Sequence, residues 1–175
     1  SNAKVDLADN VPAVPVKIGI LKDYKADADV EKHFREALQV LATFGSVADS
    51  LARIPLSDKP SYKASDVAKA RESIADILFK DCDVLVSPTT TASTITIAEA
   101  EKRGPMAVSP ENTFFCNYFG LPAVSVFCGF DKNGMPLGLQ IVGPAGKEDK
   151  ILRIANHFLK NTKEDARHPK TSADN

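Results

Sequence analysis

Hydroxyl side chains crowd one stretch of this chain: Thr89-Thr90-Thr91 stand in a row, followed by Ser93, Thr94 and Thr96. A hydroxyl is a weak nucleophile that needs an adjacent base, and acyl transfer also needs backbone amides that hold the oxyanion. A glycine-rich turn around a serine supplies such amides, yet no Gly-x-Ser-x-Gly or Gly-Ser-Ser string occurs here. The nearest, Phe44-Gly-Ser-Val47, lacks the flanking glycines and falls at the end of an expected helix. What the threonine row can do is line a ligand. It follows the carboxyl end of an expected parallel strand, where open α/β sheets place their ligands. The plainer alternative is a polar loop capping a sheet edge.

Thiol chemistry would need Cys82, Cys116 or Cys128 within reach of His33 or His157. His33 is expected on a solvent flank, and His157 on the last helix beside apolar neighbours. The three cysteines therefore read as small buried apolar residues. Their odd number and the lack of a CxxC spacing argue against zinc and against a disulfide framework. Reduced thiols in a cytoplasmic protein are the expectation. No metal or organic cofactor is implied, and no residue is assigned a catalytic role.

The elements that must hold these groups follow from periodicity. Val16 to Leu21 is a short β-rich run. Val30, Phe34, Ala37, Leu38, Leu41 and Phe44 then draw one helical stripe, with Asp27 or Asp29 able to cap its start and Gly45 suited to a left-handed stop. Arg53 to Lys63, broken by Pro55 and Pro60, is a connector. Ser65-Asp66 opens a second helix striped by Val67, Ala70, Ile74, Ile77 and Leu78, with Arg71 and Glu72 turned outward. Asp83 to Ser87 has three consecutive apolar residues, which suits a strand covered on both faces, and Pro88 ends it.

Ile97 to Arg103 is at most a helical turn. Residues 111–119 form a short helix ended by Gly120, and Ala123 to Phe130 a strand. Asp131-Lys-Asn-Gly134 is a tight reversal, and Met135 to Val142 runs back antiparallel. Lys147 to Lys160 is a closing amphipathic helix that buries Ile151, Leu152, Ile154, Ala155, Phe158 and Leu159. The order is mixed α/β, a two- or three-layer arrangement around a mixed sheet, with one domain over 16–162. Residues 1–15, beginning with Ser1-Asn2-Ala3 as a scar of tag cleavage, and 163–175 are expected to be loose tails.

Composition narrows the function classes. With 175 residues the chain can bury roughly 70% of its extended surface. The apolar share of 43% and the charged share of 26% are ordinary for a globular protein. A net charge of −1 without a basic stripe speaks against nucleic acid and acidic membrane surfaces. No apolar run approaches the ~20 residues of a membrane span.

One chained pattern is more specific than any of this: Asn112-Thr113, Asn117, Gly120-Leu-Pro-Ala-x-Ser-Val126, then Gly129-Phe-x-x-x-Gly-x-Pro-x-Gly-Leu-Gln140. It closely resembles the carboxy-terminal part of the amidase-signature family. Cys82-Asp-Val-Leu-Val-Ser-Pro-Thr89 is similar to that family's strand with a threonine-proline-threonine end, and Glu148 to Leu159 to its closing helix. The resemblance implies a parent that hydrolyses non-peptide carbon–nitrogen bonds of small amides. An ammonia-donating subunit of a glutamine-dependent transfer-RNA amidotransferase is the narrower possibility.

The family's chemistry, by the same resemblance, uses a serine nucleophile, a second serine on a cis peptide and a lysine. The serines lie in a Gly-Gly-Ser-Ser-Gly-Gly-Ser signature that this chain does not contain, so it is expected to be inactive alone. The threonine loop 89–91 is expected to border the substrate cleft, and Pro110, Asn112 and Thr113 to help shape the pocket. Asn112 could instead cap a helix, and Asn117 is expected to bond backbone near the Gly-Leu-Pro corner. Glutamine-dependent relatives hold the substrate's amino group with an aspartate near Pro110, which proline cannot replace.

Two departures stand out. A connector of about ten residues replaces a mostly helical segment between Ile54-Pro55 and Ser65, and Phe127 stands where proline is usual. Sheet edges and apolar faces left without covers would favour self-association. A stand-alone, non-catalytic interaction or scaffold module is the alternative reading, and a hydrolase with a relocated nucleophile a third.

Overall fold

The computed structural model describes residues 15–49 and 53–162; the expected tails at 1–14 and 163–175 lie outside them. In chain order the elements are β1 (Val16–Ile20), α1 (Ala28–Leu41), β2 (Gly45–Asp49), α2 (Ala64–Leu78), β3 (Val84–Pro88), α3 (Ile97–Arg103), α4 (Phe114–Phe119), β4 (Ala123–Phe130), β5 (Pro136–Val142) and α5 (Glu148–Asn161). The five strands form one sheet in the order β2-β1-β3-β5-β4. β1 pairs in parallel with β2 and β3, whereas β5 pairs antiparallel with β3 and β4. The mixed sheet is therefore half parallel and half hairpin, with β3 at the join.

Apolar residues on the two sides of the strands divide into two cores. On one face Ile18, Val84, Val86, Leu139 and Ile141 pack with Phe34 and Leu41 of α1 and with Ile151 and Phe158 of α5. On the other, Leu85 and Val142 pack with Ile74 and Leu78 of α2 and with Phe115 and Phe119 of α4. This makes three layers. All of β3 is buried, as its uninterrupted apolar run requires.

Several boundaries fall where the side chains dictate. Asp27 caps α1, its Oδ1 accepting from Val30 N at 2.9 Å. Gly120 takes the left-handed conformation, φ 68°, that ends α4. In the hairpin turn, Asp131 Oδ1 accepts from the amides of Asn133 and Met135, and only Gly134 has positive φ.

Elsewhere the structure corrects the sequence reading. Gly45 does not stop α1, which ends at Leu41 with Ala42 still right-handed. It opens β2, a strand the sequence does not announce because Gly-Ser-Val-Ala-Asp lacks apolar alternation. Glycine is needed there for close approach to β1: a Cβ would sit 2.8 Å from Ile18 Cδ1 and 2.9 Å from Val16 O.

Ile77, Leu152 and Leu159 are exposed rather than buried. Each lies one position round from its helix's inner row, and Leu152 and Leu159, seven apart, share one outer flank of α5. Arg71 is exposed, as expected of the outer face of α2, but it is not idle. Its guanidinium donates to the carbonyls of Tyr118 at 2.9 Å and Asn117 at 3.1 Å, so α2 closes the free carbonyl end of α4. Asn117 thus joins the corner through its main chain. His33 is not a solvent flank either. Its side chain is 15% exposed, with Nδ1 3.1 Å from Glu36 Oε2, and it lies against Gly129, where β4 breaks register.

Asp83 ties three elements at the foot of β3. It accepts from Lys150 Nζ at 2.8 Å and from Lys17 N at 2.9 Å. Partial burial opposes its ionisation, but these donors outweigh burial and hold the carboxyl below the ordinary aspartate range. A depressed carboxyl stabilises the fold above the ordinary aspartate value and loses that contribution as the pH falls through its own lower value. Asp83→Asn is expected to lower stability at pH 7 by about 1 kcal/mol. Urea midpoints at pH 7 and pH 3 check this: the gap between wild type and variant should narrow at pH 3.

Candidate functional site

The face of the sheet that carries α2 and α4 changes character toward β4. Beyond the apolar Leu85–Val142 pair, register brings Ser87, Gln140 and Ser125 into one cross-strand row. Gln140, 3% exposed, donates from Nε2 to Ser87 Oγ at 3.1 Å and to Asn112 O at 2.8 Å. A buried amide with two committed donors fixes the start of α4 against the sheet.

Asn112 is 2% exposed. Its Oδ1 accepts from Lys25 N at 2.9 Å, while Nδ2 donates to Lys25 O at 2.8 Å and to Thr90 O at 3.4 Å. The side chain therefore mimics a strand partner for Lys25 and joins the loop after β1 to the loop after β3. It is not the cap of α4, whose flanking residue is Thr113.

Asp27 adds to the same join. Its amide donates to Thr91 O at 2.8 Å and its Oδ2 accepts from Ser93 N at 3.0 Å. Burial opposes the charge on Asp27, but the amides of Val30, Ser93 and Asp29 prevail and hold its carboxyl below the usual range. At the near end of the loop Thr89 N donates to Gly138 O at 2.8 Å. The threonine loop is thus pinned at Thr89, Thr90, Thr91 and Ser93.

Held in this way, the loop borders an open cleft of about 330 Å³. Four hydroxyl residues line it: Thr89, Thr90, Thr94 and Ser125. Val126, Phe127, Pro136, Leu137 and Gly138 complete the lining. Thr89 Oγ1, just past β3, and Ser125 Oγ of β4 lie 2.6 Å apart, a short hydroxyl–hydroxyl bond over the intervening β5. No charged side chain is among the described residues that line the cleft.

Of the six candidates named from sequence, Thr89 and Thr90 reach the cleft. Thr91 and Asn112 hold the loop from behind. Pro110 and Thr113 open α4, with Pro110 O accepting from the amides of Thr113 and Phe114 at 2.9 and 2.8 Å. Ser125, Gly138 and Thr94 are cleft residues that sequence reasoning misses. The period-two alternation of β4 and β5 places Ser125 and Gly138 on one face, but nothing in the sequence sets the two strands in register with Thr89.

Two of the three thiols, Cys82 and Cys116, are poor nucleophiles. Burial pushes Cys116 up to about 12 and raises Cys82 as well. Among the described residues no group of His, Cys, Asp and Glu could hold a metal ion, and no helix is long and apolar enough to cross a membrane.

Residues 53–152, more than half of the chain, match the family model Amidase. The chain belongs to the amidase family. Curated relatives carry the name of a glutamyl-tRNA(Gln) amidotransferase subunit. That of Halothermothrix orenii is 43% identical over 93 residues, 53% of this chain and 20% of the relative; that of Prochlorococcus marinus is 39% identical over 112 residues, 62% and 23%. This amidase-family chain thus matches under a quarter of the length of those relatives.

Solved amidase-signature structures show the same fold. A 6-aminohexanoate cyclic dimer hydrolase has TM-score 0.72 at 19% identity, over 97% of this chain and 50% of the hydrolase. The glutamyl-tRNA(Gln) amidotransferase subunit of Thermotoga maritima has TM-score 0.65 at 22% identity, over 85% of this chain and 43% of that protein. The mixed sheet with helices on both faces is accordingly the amidase-signature fold.

Asn112→Leu removes every side-chain bond to Lys25 and Thr90 while keeping similar volume. We expect a loss of about 2 kcal/mol, since the partly buried amide and carbonyl of Lys25 lose their side-chain partner. Hydrogen exchange at Lys25 and Ser93 should quicken in the variant, with that at the β3 amides of Val84 to Val86 changing least. Unchanged protection at Lys25 would contradict the clamp.

Proposed function

We propose that this chain is the sheet and cleft-wall part of an amidohydrolase that cleaves non-peptide carbon–nitrogen bonds of small amides. The observation that carries this reading is the uncharged, hydroxyl-lined cleft at the end of β3, inside the stretch that matches the amidase family. In this reading Thr89 and Thr90 face substrate, Thr91 and Asn112 hold their loop, and Pro110 and Thr113 set where α4 begins. The nucleophile and base come from protein outside residues 15–162. The cleft hydroxyls have no base among the described residues that line it, and Thr89 and Ser125 bond to each other.

The amidotransferase names of the relatives support a parent that works beside partner subunits. The uncharged cleft favours a free amidase acting on simple amides. We further assign 16–162 to one domain, because both apolar cores share one sheet. A cytoplasmic setting fits the three free cysteines, and neither nucleic acid nor a membrane is a partner of this segment.

Self-association is the second element of the proposal. Among the described residues β2 is an edge strand with one side unpaired, and edges of this kind recruit further strands. Leu152 and Leu159, the latter 45% exposed, add an apolar flank on α5.

Two outcomes test the proposal. The purified chain should hydrolyse benzamide no faster than buffer, since loss of a serine nucleophile alone costs about 10⁶ in turnover; turnover abolished by a single substitution within 15–162 would refute it. Light scattering at rising concentration should show dimers or larger species, and a monomer throughout would refute self-association.

A further inference from the structure

One motif lies apart from the cleft lining: Asn133-Gly134, the single Asn-Gly pair of the chain. It stands at the tip of the β4–β5 hairpin, and both residues are exposed. Asparagine is a thermolabile side chain, and the cause is local chemistry. The main-chain nitrogen of the next residue attacks the asparagine Cγ and gives up its hydrogen to solvent base. The Cγ–Nδ2 bond breaks, Nδ2 leaves as ammonia, and a five-membered imide remains. Water then opens the imide at either carbonyl, leaving aspartate or isoaspartate. Glycine is the follower that hinders this attack least. At Gly134 even an added Cβ would meet nothing within 4 Å, so space for the ring is open.

The folded turn withholds the nucleophile. Gly134 N donates to Asp131 O at 2.9 Å. Asp131 Oδ1 accepts from Asn133 N at 2.8 Å and from Met135 N at 2.9 Å, so the amides on either side of Gly134 are tied to one carboxylate oxygen. The peptide plane between Asn133 and Gly134 cannot rotate toward Cγ while these bonds hold. Where such opening is fast against the chemistry, the rate follows the open population. Asp131 is itself only 5% exposed, so its hold does not depend on a loose surface side chain.

We propose that Asn133 is a site of spontaneous deamidation and that the Asp131 carboxylate is the latch that keeps it closed. Isoaspartate routes the main chain through the former side chain and lengthens the turn by a methylene. It also places a new carboxylate close to Asp131, whose Oδ2 is buried without a hydrogen-bond partner among the described residues. Both changes oppose reclosure of the turn. The first cross-strand pair beyond it is Phe130 with Pro136, so an aged chain loosens the hairpin from that end. This is the hairpin that carries Ser125 and Gly138 of the cleft.

The test ages the 175-residue chain at pH 8, folded and unfolded in urea. Mass spectrometry of the peptide around Asn133 follows replacement of the amide by an acid, and electron-transfer fragmentation separates isoaspartate from aspartate. Conversion is expected at Asn133, with isoaspartate among the products, and at least about tenfold faster in the unfolded chain. In the folded state Asp131→Ala should raise the rate about tenfold, with unchanged amide signals of α5 showing that the variant folds. Asp131→Asn keeps an oxygen in the same place and should fall between that variant and the wild type. Asn133→Gln should remove the product at this peptide.

No conversion at Asn133 in the unfolded chain would overturn the site. Equal rates in the folded and unfolded wild type would overturn the latch without the need of a variant, and so would a folded Asp131→Ala that ages no faster than wild type.

Discussion

The side-chain amide of Asn112 makes the loops of this protein one object. It offers Lys25 the donor and acceptor that a neighbouring strand would have offered, at 2.8 and 2.9 Å, and reaches Thr90 O with its second hydrogen. The main-chain carbonyl of Asn112 accepts from Gln140 Nε2. Four segments far apart in sequence thus meet at one buried residue: the loop after β1, the loop after β3, the start of α4 and strand β5. A buried amide of this kind is costly when partly satisfied and rigid when fully satisfied. Here its oxygen and nitrogen are both engaged.

That constraint matters because β3 lies where the sheet changes from parallel to antiparallel pairing. Parallel strands come with crossover helices, here α1 and α2, whereas β4 and β5 form a hairpin that needs none. The helices on the second face are short or distant from β4, so the hairpin carries a bare patch beside the end of β3. The cleft is that patch, walled by the threonine loop. Its polarity follows from the same geometry: Ser125, Gly138 and Gln140 share one face of the hairpin because side chains alternate along a strand.

Most elements are legible in the sequence. The stripe Val30, Phe34, Leu38 and Leu41 has a single helical solution, Val84-Leu-Val86 suits a strand covered twice, and the hairpin is written in its turn residues. β2 is not legible. Its residues carry no alternation, and Gly45 reads locally as a helix stop until β1 lies beside it. The outer flanks of α2 and α5 mislead for a related reason. An apolar residue next to the inner row is buried only if a neighbouring element covers it, and Ile77 and Leu159 stay exposed.

The candidate site divides along the same line. Sequence alone determined that a row of hydroxyls follows a buried strand and that the pattern from Asn112 to Gly143 resembles the amidase-signature family, because both are local strings of residue types. Only the tertiary structure decided which of those residues face the cleft. Asn112 turned inward to clamp Lys25, Arg71 folded onto α4, and Ser125 met Thr89 across a glycine. Each of these contacts joins residues 36 or more positions apart, and their pairing depends on strand register and helix docking, which no window of neighbouring residues encodes.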